Sequence, residues 1–445
     1  MFETIRNAWK IADLKKKLLF TLLIIVLYRV GTAVPIPYVN STALSTSMLA
    51  TGGSIFAYLN ILTGSAFSNA TLFALGINPY ITASIVMQLL CIAIPYLENL
   101  SKEGEEGQKK INAYTRYVTV GLGLITAIGY YQLLKSYSLL TETGFFPAMV
   151  VVACYCAGAA LVMWLSEKIN ENGIGNGISM ILFANIVSRL PSFFLSLINL
   201  VTGKMQYTKT KNNTTTITTI PVWAGIIIAV LAVALAVAMI GFIVWMTNSE
   251  RRIPVQYAKR VVGRKMYGGQ SSNLPLKVNM VGVMPIIFAS SIVSIMPTIE
   301  MFVRPAEGSF WDKFFGLFGT NSVLYVILTF VLIIAFAYFY TSISFNPVEI
   351  ANNMKTQGGS VPGIRPGRPT AEYITKILNR ITLIGALLLA VVAILPMIIN
   401  LISGGNLQGL AFGGSSIIIV VGVVLETIRE IEAQMTMRHY KGFLE

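Results

Sequence analysis

The sequence predicts an all-α polytopic membrane protein with ten transmembrane helices. Apolar residues make up 55% of the 445 residues, and charged residues only 12%, whereas about a quarter of the residues of a soluble globular protein are charged. The mean hydropathy is +0.69. Apolar runs of about 20 residues, the length that a helix needs to cross a bilayer, recur along the whole chain.

Ten apolar runs have the length of a membrane-spanning helix. They are predicted at 18–38, 71–94, 115–135, 146–166, 177–200, 222–247, 280–302, 322–342, 378–402 and 410–428. The first run follows three lysines, as the apolar core of a signal peptide would. It is long enough to span, and PIPY stands where a cleavage site would have small residues, so we expect a retained helix.

The distribution of Lys and Arg predicts that both termini lie in the cytoplasm. With the N-terminus inside, 25 of the 33 Lys and Arg residues fall in inner segments and seven in outer segments, while Arg29 lies within the first span. Basic residues accumulate in cytoplasmic loops. Acidic partners, anionic lipid headgroups or nucleic-acid phosphates would meet this charge, and a role in topology alone fits the sequence equally well.

Two cytoplasmic loops are larger than topology requires. The loop at 248–279 alternates basic with apolar and aromatic residues, and we expect an ordered hairpin. The loop at 346–376 places Arg365 and Arg368 among Pro and Gly turns, which would hold the guanidinium groups outward. On the outer side, the Thr- and Asn-rich segment 201–221 is predicted to be a flexible connection.

The sequence gives little support for an enzyme. It has no phosphate-binding glycine loop, no zinc-ligand spacing and no nucleophile elbow, and GIGNG (173–177) is predicted to start a membrane helix. Ion-coupled transporters usually bury ionisable residues in the membrane, and here Arg29 is the main example. We therefore predict no catalytic residue, no metal site and no cofactor.

The second span is interrupted near its start, by Gly76, Asn78 and Pro79. The segment before it, 52–70, is half-apolar and too short to span. Non-helical backbone at membrane depth must be buried in protein or line a cavity. This pattern fits a secondary transporter with a small-solute site near Asn78, and it equally fits a protein-conducting channel sealed by a short re-entrant helix. An assembly scaffold is a third possibility.

Pairs of aliphatic residues four positions apart, Ile77 with Ile81 and Ile178 with Leu182, form stripes on one helix face. Around a narrow cavity they would form a hydrophobic constriction, although such stripes usually pack against other helices or lipid.

Six stretches resemble the SecY family of bacterial protein-translocation channels. They are TLFALGINPYITASIVMQLL (71–90), KEGEEGQKKINAYTRY (102–117), GIGNGISMILFANIV (173–187), the stretch 250–292 that begins ERRIPVQYAKR, VPGIRPGRPTAEYI (361–374) and FGGSSIIIVVGVVLETI (412–428). The resemblance implies a clamshell of two inverted pseudo-symmetric halves around a central pore. The halves would be 1–200 and 222–445, with 201–221 as an external hinge loop.

The resemblance also implies a function and its residues. The family passes unfolded secretory polypeptides across the bacterial plasma membrane and releases membrane segments laterally into it. Segment 52–70 would be a weakly held plug, with residues Ile55, Leu59, Leu62 and Gly64. The implied pore ring is Ile77, Ile81, Ile178, Leu182, Ile287 and Ile419. The implied lateral gate, between the second and seventh spans, has the polar residues Gln88, Ser290, Ser291 and Ser294.

Partners follow from the same resemblance. They are the SecE and SecG subunits, the SecA motor ATPase, the ribosome through ribosomal RNA, signal sequences, unfolded preproteins and anionic phospholipid. The residues implied to dock the motor or the ribosome are Arg251, Arg252, Lys259, Arg260, Arg264, Lys265, Arg365, Arg368 and Tyr440.

Overall fold

A computed structural model gives the architecture of the protein. It describes residues 2–40, 63–136, 138–203, 206–211, 214–219, 221–257, 260–262, 265–267, 271–280, 282–296, 299, 309–319, 322–402 and 414–441. These residues form a helical bundle, with short β-hairpins in the connections between helices.

Helices account for the regular structure described in the first part of the chain. They are α1 (Phe2–Lys10), α2 (Ala12–Gly31), α3 (Asn78–Ala93), α4 (Pro95–Lys102), α5 (Glu105–Ser136), α6 (Phe145–Asn172), α7 (Gly177–Val187) and α8 (Leu190–Val201).

The second part of the chain combines helices with short strands. Its elements are β1 (Gln206–Lys211), β2 (Thr214–Thr219), α9 (Val222–Asn248), β3 (Glu250–Tyr257), β4 (Arg260–Val262), β5 (Lys265–Tyr267), β6 (Ser271–Lys277), α10 (Met284–Val293), α11 (Phe310–Leu317), α12 (Val323–Ser344), α13 (Pro347–Thr356), β7 (Gly359–Ser360), α14 (Arg368–Ile402) and α15 (Gly414–Lys441).

Each of the ten predicted spans contains a helix of this bundle. Among the described residues, six helical segments are long and apolar enough to cross a membrane. They are 105–135, 145–172, 177–201, 222–248, 323–356 and 368–399. The pair α3 and α4, bent by 100°, would make a seventh if it is counted as one span. In the other three predicted spans, α2 and α15 carry several charged residues and α10 has only ten residues.

The boundaries of several predicted spans are wrong. The first span was predicted at 18–38, but α2 ends at Gly31, and Pro35 forms an isolated β-bridge with Thr71. The second span, predicted from residue 71, becomes helical only at Asn78, with Pro79 in the first turn, where proline is well tolerated. The fifth span, predicted at 177–200, agrees with the apolar segment 177–201, although two residues between Val187 and Leu190 are not helical. The start of α7 at the GIGNG motif is confirmed.

The predicted hairpin in the loop 248–279 is confirmed. Strands β3 and β6 pair antiparallel, with Arg252 opposite Pro275. Segment 201–221, predicted only as a flexible connection, contains the antiparallel pair β1 and β2. Arg368 is the first residue of α14 and does not lie in a turn as predicted.

The two large loops at 248–279 and 346–376, predicted to be cytoplasmic, form a single unit, which we call the basic module. Strand β7 of the second loop pairs antiparallel with β3 of the first, with Gln256 opposite Ser360. Both loops contribute to one buried cluster, which consists of Ile253, Val255, Leu276, Met354, Val361 and Ile374. The shared sheet and core fix the positions of the two loops relative to each other.

Candidate pore, lateral seam and docking surface

A non-helical segment at 63–77, which we call the anchor segment, lies inside the bundle before α3. Thr63, Ala66, Phe67 and Ala70 are at most 4% exposed. The backbone of the segment is paired with the residues that follow α2. The Ile36 amide donates to the Ala70 carbonyl at 3.2 Å, and the Leu72 amide donates to the Val34 carbonyl at 2.9 Å. These bonds satisfy peptide groups that would be costly to leave unpaired in a membrane.

Helices α5 and α6 hold the anchor segment from its other side. The Tyr130 hydroxyl donates to the Phe67 carbonyl at 2.5 Å, and the two rings lie 4.6 Å apart between centroids. The Tyr130 ring also meets Tyr155 of α6 edge-on, at 4.9 Å. Gly158 lies against the anchor backbone, because a Cβ at that position would be 1.9 Å from the Leu72 carbonyl oxygen. The anchor segment is therefore closely packed.

Only the C-terminal part of the predicted plug, from residue 63 to residue 70, lies within the described residues. Ile55, Leu59 and Leu62 lie outside the described residues. Gly64 lies in the anchor segment with a φ of +61°, and a Cβ there would be 2.8 Å from Arg29 Nη1 and 2.9 Å from Asn185 Oδ1. Within residues 63–70, which are part of the predicted plug, most side chains are buried and the backbone is hydrogen-bonded, and the expectation of a weakly held element stays a prediction.

The six predicted ring residues all belong to one large hydrophobic cluster in the middle of the bundle or pack against it. Five of them are buried members of the cluster, at most 3% exposed, and the partly buried Ile178 packs against the cluster. They lie on four helices: Ile77 and Ile81 at the start of α3, Ile178 and Leu182 on α7, Ile287 on α10, and Ile419 on α15. Two of these helices belong to each predicted half of the chain. These six aliphatic side chains, which we call the collar, have no hydrogen-bonding group.

Local sequence fixes where two of these helices begin. Pro79 stands in the first turn of α3, immediately after Ile77 and Asn78. Asn176 caps α7, since its Oδ1 accepts from the amides of Ile178 at 3.0 Å and Ser179 at 3.4 Å. An N-terminal Asn cap and a proline in the first turn are strong helix-start signals. Because these signals fix the residue at which each helix begins, they also fix which side chains of the helix face the cluster.

The predicted gate serines hydrogen-bond within their own helix. The hydroxyls of Ser290 and Ser291 donate to the Ile287 carbonyl at 2.9 and 2.8 Å, and the Ser294 hydroxyl donates to the Ser291 carbonyl at 2.7 Å. Such bonds to the preceding turn satisfy a hydroxyl inside an apolar helix. None of these three bonds connects α10 to α3.

The polar contact between the two sides is made by Gln88, through a residue that the sequence did not identify. The Tyr340 hydroxyl of α12 donates to Gln88 Oε1. Gln88 Nε2 donates in turn to the Ser84 hydroxyl at 3.3 Å. We call the contact region of α3, α10 and α12 the lateral seam. A tyrosine in an apolar helix signals a hydroxyl that needs a partner, but its partner is far away in sequence.

The basic module presents some of the predicted docking residues on its surface. Arg251 and Arg365 are exposed. Arg252 and Arg368 are exposed too, and each forms an ion pair, with Glu250 at 2.7 Å and with Glu372 at 3.1 Å.

The other predicted docking residues lie elsewhere or are not described. Arg260 and Lys265 lie on the small hairpin of β4 and β5, and Tyr440 lies in the last turn of α15. Lys259 and Arg264 fall outside the described residues.

Comparisons with known proteins agree on one family. A model of the SecY family matches residues 71–428. The chain is 40% identical over 464 residues to the protein translocase subunit SecY of Mycobacterium tuberculosis strain H37Rv, and 42% identical over 461 residues to that of Streptomyces coelicolor. In both comparisons the match covers 100% of each chain.

Solved structures have the same fold. A structure described as a protein-conducting channel superposes with a TM-score of 0.64 at 16% identity, covering 95% of this chain and 92% of that one. Sec61 in a canine ribosome-channel complex from the endoplasmic reticulum gives a TM-score of 0.60, also at 16% identity, with the same coverage of both chains. The full-length sequence identity together with the shared fold leads to one conclusion: the chain belongs to the SecY family.

Proposed function

We propose that this chain is the pore-forming subunit of a protein translocase, a gated channel for unfolded secretory polypeptides in the bacterial plasma membrane. The convergence of the six ring residues from four helices into one buried cluster carries the proposal. Lys and Arg are concentrated in the segments predicted to be inner, which supports cytosolic termini. The chain itself needs no catalytic residue and no cofactor, since energy would come from its partners.

The buried ring supports a closed pore. If the Ile and Leu side chains of the collar surround the pore, they would form a narrow apolar constriction, and such a constriction gates by dewetting. An extended polypeptide that enters it would meet aliphatic side chains, which form no hydrogen bonds with the passing backbone. The ring would therefore restrict ions at rest and let a chain slide through when the two halves separate.

The anchor segment includes the C-terminal part of the proposed plug, 52–70. Phe67 and Ala70 pack in one cluster with Tyr130 and Tyr155, and Gly64 lies against Arg29 and Asn185. We infer that residues 63–70 stay in place when the channel opens. The other proposed plug residues, Ile55, Leu59 and Leu62, lie outside the described residues.

The proposed halves, 1–200 and 222–445, would open at the lateral seam and hinge at 201–221. Membrane segments and signal sequences would leave through this seam into lipid. The SecE and SecG subunits and anionic phospholipid would surround the helices. One relative in fold is described as part of a ribosome-channel complex, which supports a ribosome as partner, and the family membership supports the SecA motor.

Reconstitution tests the function. Vesicles that contain this chain with SecE and SecG should import a secretory preprotein when SecA and ATP are added. We expect protease-protected preprotein only when the motor, ATP and an intact signal sequence are all present. Uptake of a small solute on an ion gradient, without any effect of the motor, would contradict the proposal.

The basic module is the proposed docking surface, because both of its loops place exposed arginines on one folded unit. We expect Arg365→Glu to abolish motor-driven import while the channel still inserts into the membrane. Protease protection of a preprotein measures import, and quantitative immunoblotting of membranes measures insertion. Lys355→Glu is the matched control, since Lys355 is an exposed cation on α13 of the same module. Equal losses in both variants would contradict a specific role of Arg365.

A further inference from the structure

We propose that Tyr340 determines which segments open the lateral seam, as the closed-state partner of Gln88. This inference rests on the proposed channel function. Gln88 lies on α3 and Tyr340 on α12, so their hydrogen bond joins the first predicted half of the chain to the second. The serines of α10, in contrast, donate to carbonyls of their own helix.

The position of Gln88 connects this contact to the pore ring. Ile77, Ile81, Ser84 and Gln88 follow one another at intervals of four, three and four residues, so they share one face of α3. Gln88 lies seven residues beyond Ile81, about 10 Å along the helix axis. The predicted topology puts this end of α3 toward the cytoplasm, so an incoming segment reaches Gln88 before it reaches the ring.

The ring of Tyr340 is linked to the pore through an aromatic cluster. Tyr340 packs on Phe288 with 4.9 Å between ring centroids, and Phe288 also contacts Phe336 at 6.1 Å. Phe288 directly follows the pore-ring residue Ile287 on α10. Separation of α12 from α3 would therefore disturb the immediate neighbour of a ring residue.

The side-chain amide of Gln88 is held in the orientation that its contact with Tyr340 needs. Its Nε2 donates to Ser84, one turn earlier on the same helix, and this leaves Oε1 directed to Tyr340. A polar group among apolar helices is stabilised by such a bond, although a bond between membrane helices contributes only modestly. A segment that enters the seam must break this bond and replace the aromatic contact by its own apolar surface. A less hydrophobic segment does so less well, so the contact sets a threshold of hydrophobicity.

The test uses two signal sequences and a set of seam variants in the reconstituted channel with SecE, SecG, SecA and ATP. One preprotein carries a normal signal sequence, and the other carries a charge in its apolar core. Tyr340→Phe removes the hydroxyl and keeps the ring, and we expect about a threefold rise in import of the defective preprotein. Tyr340→Leu also removes the aromatic contact, and we expect about a tenfold rise. Import of the normal preprotein should stay unchanged in both variants.

The controls separate gate specificity from general loosening. Ser196→Ala on α8 and Thr126→Ala on α5 remove hydroxyls that donate to carbonyls of their own helix outside the seam, and both variants should behave as the parent channel does. Gln88→Leu should reproduce Tyr340→Phe, and the double variant should show no further rise, because the two side chains act through one bond.

Two results would overturn the inference. One is import of the defective preprotein at the parent rate in Tyr340→Phe. The other is additive effects of Gln88→Leu and Tyr340→Phe in the double variant. If the parent channel imports neither preprotein, the proposed channel function is wrong, and this inference, which rests on it, is wrong too.

Discussion

The anchor segment and the lateral seam are both irregular features of a membrane bundle, and they are stabilised differently. The anchor segment is non-helical, yet it is buried, paired to the backbone after α2 and packed between aromatic rings. The seam lies between regular helices, and a hydrogen bond between Gln88 and Tyr340 connects α3 to α12 there. The irregular backbone here is closely packed, and the seam between regular helices is the place where we propose that the channel opens.

The difference has a physical reason. Peptide groups that leave helical geometry at membrane depth must find partners, so such a segment acquires many contacts. Helices satisfy their own backbone and can therefore separate without exposing unpaired peptide groups. A seam between helices is consequently suited to opening, and a broken segment is suited to a fixed position in the bundle.

The largest effect is expected for Gly158→Ala, which disturbs the packing of α6 against the anchor segment. The added Cβ would lie 1.9 Å from the Leu72 carbonyl oxygen, so the backbone of α6 or of the anchor segment must move. We expect a loss of about 3 kcal/mol or more in the free energy of unfolding, measured by thermal unfolding in detergent. Gly121→Ala on α5 is the control, since a Cβ there meets nothing within 4 Å. Equal stability of both variants would contradict the close packing of the anchor.

The next effect is expected for Ile81→Asn, which changes the collar beside the seam. Ile81 is 2% exposed, and an unpaired amide at such a site costs about 1–3 kcal/mol. We expect hydration of the closed pore, measured as ion leak from vesicles, together with import of preproteins that have defective signal sequences. Ile81→Val keeps the collar apolar and should remain ion-tight. An ion-tight and selective Ile81→Asn channel would show that the ring assignment is wrong.

The smallest effects are expected when tyrosine is replaced by phenylalanine, once in the anchor segment and once in the lateral seam. Tyr130→Phe removes the hydroxyl that donates to the Phe67 carbonyl in the anchor, and we expect a loss of about 1–2 kcal/mol in the free energy of unfolding. Tyr340→Phe removes the seam hydroxyl and should cost about 0.6 kcal/mol. Thermal unfolding of the two variants under identical conditions measures the difference. A larger loss for Tyr340→Phe would reverse the proposed roles of the two regions.

The sequence predicted those features that depend on local patterns. Apolar runs located a helix in each of the ten spans, and the alternation of apolar and basic residues predicted an ordered hairpin in the loop 248–279, where β3 and β6 pair. The spacing of Ile77 with Ile81 placed both on one face, and the SecY resemblance supplied Ile287 and Ile419, which join them in the same cluster. The helix start at Asn176 was also readable, because a cap acts on its own first turn.

The sequence failed where partners are distant along the chain. The end of α2 at Gly31 follows from pairing between the residues after α2 and the anchor segment, and no pattern within 18–38 reports it. The gate serines were identified by residue type, but a serine in a helix can bond to its own preceding turn. Tyr340 stands 252 positions from Gln88, so nothing near Gln88 in sequence indicated it.

The amino-acid sequence by itself determined that this protein crosses the membrane many times, where its helices lie and which family it belongs to. Hydrophobicity and helix capping act over a few residues, so they can be read directly. Only the tertiary structure decided that the basic loops share one sheet, that most side chains of residues 63–70 are buried, and that Gln88 meets Tyr340. Those outcomes depend on which surfaces of separate helices come into contact, and that is set by the packing of the whole bundle.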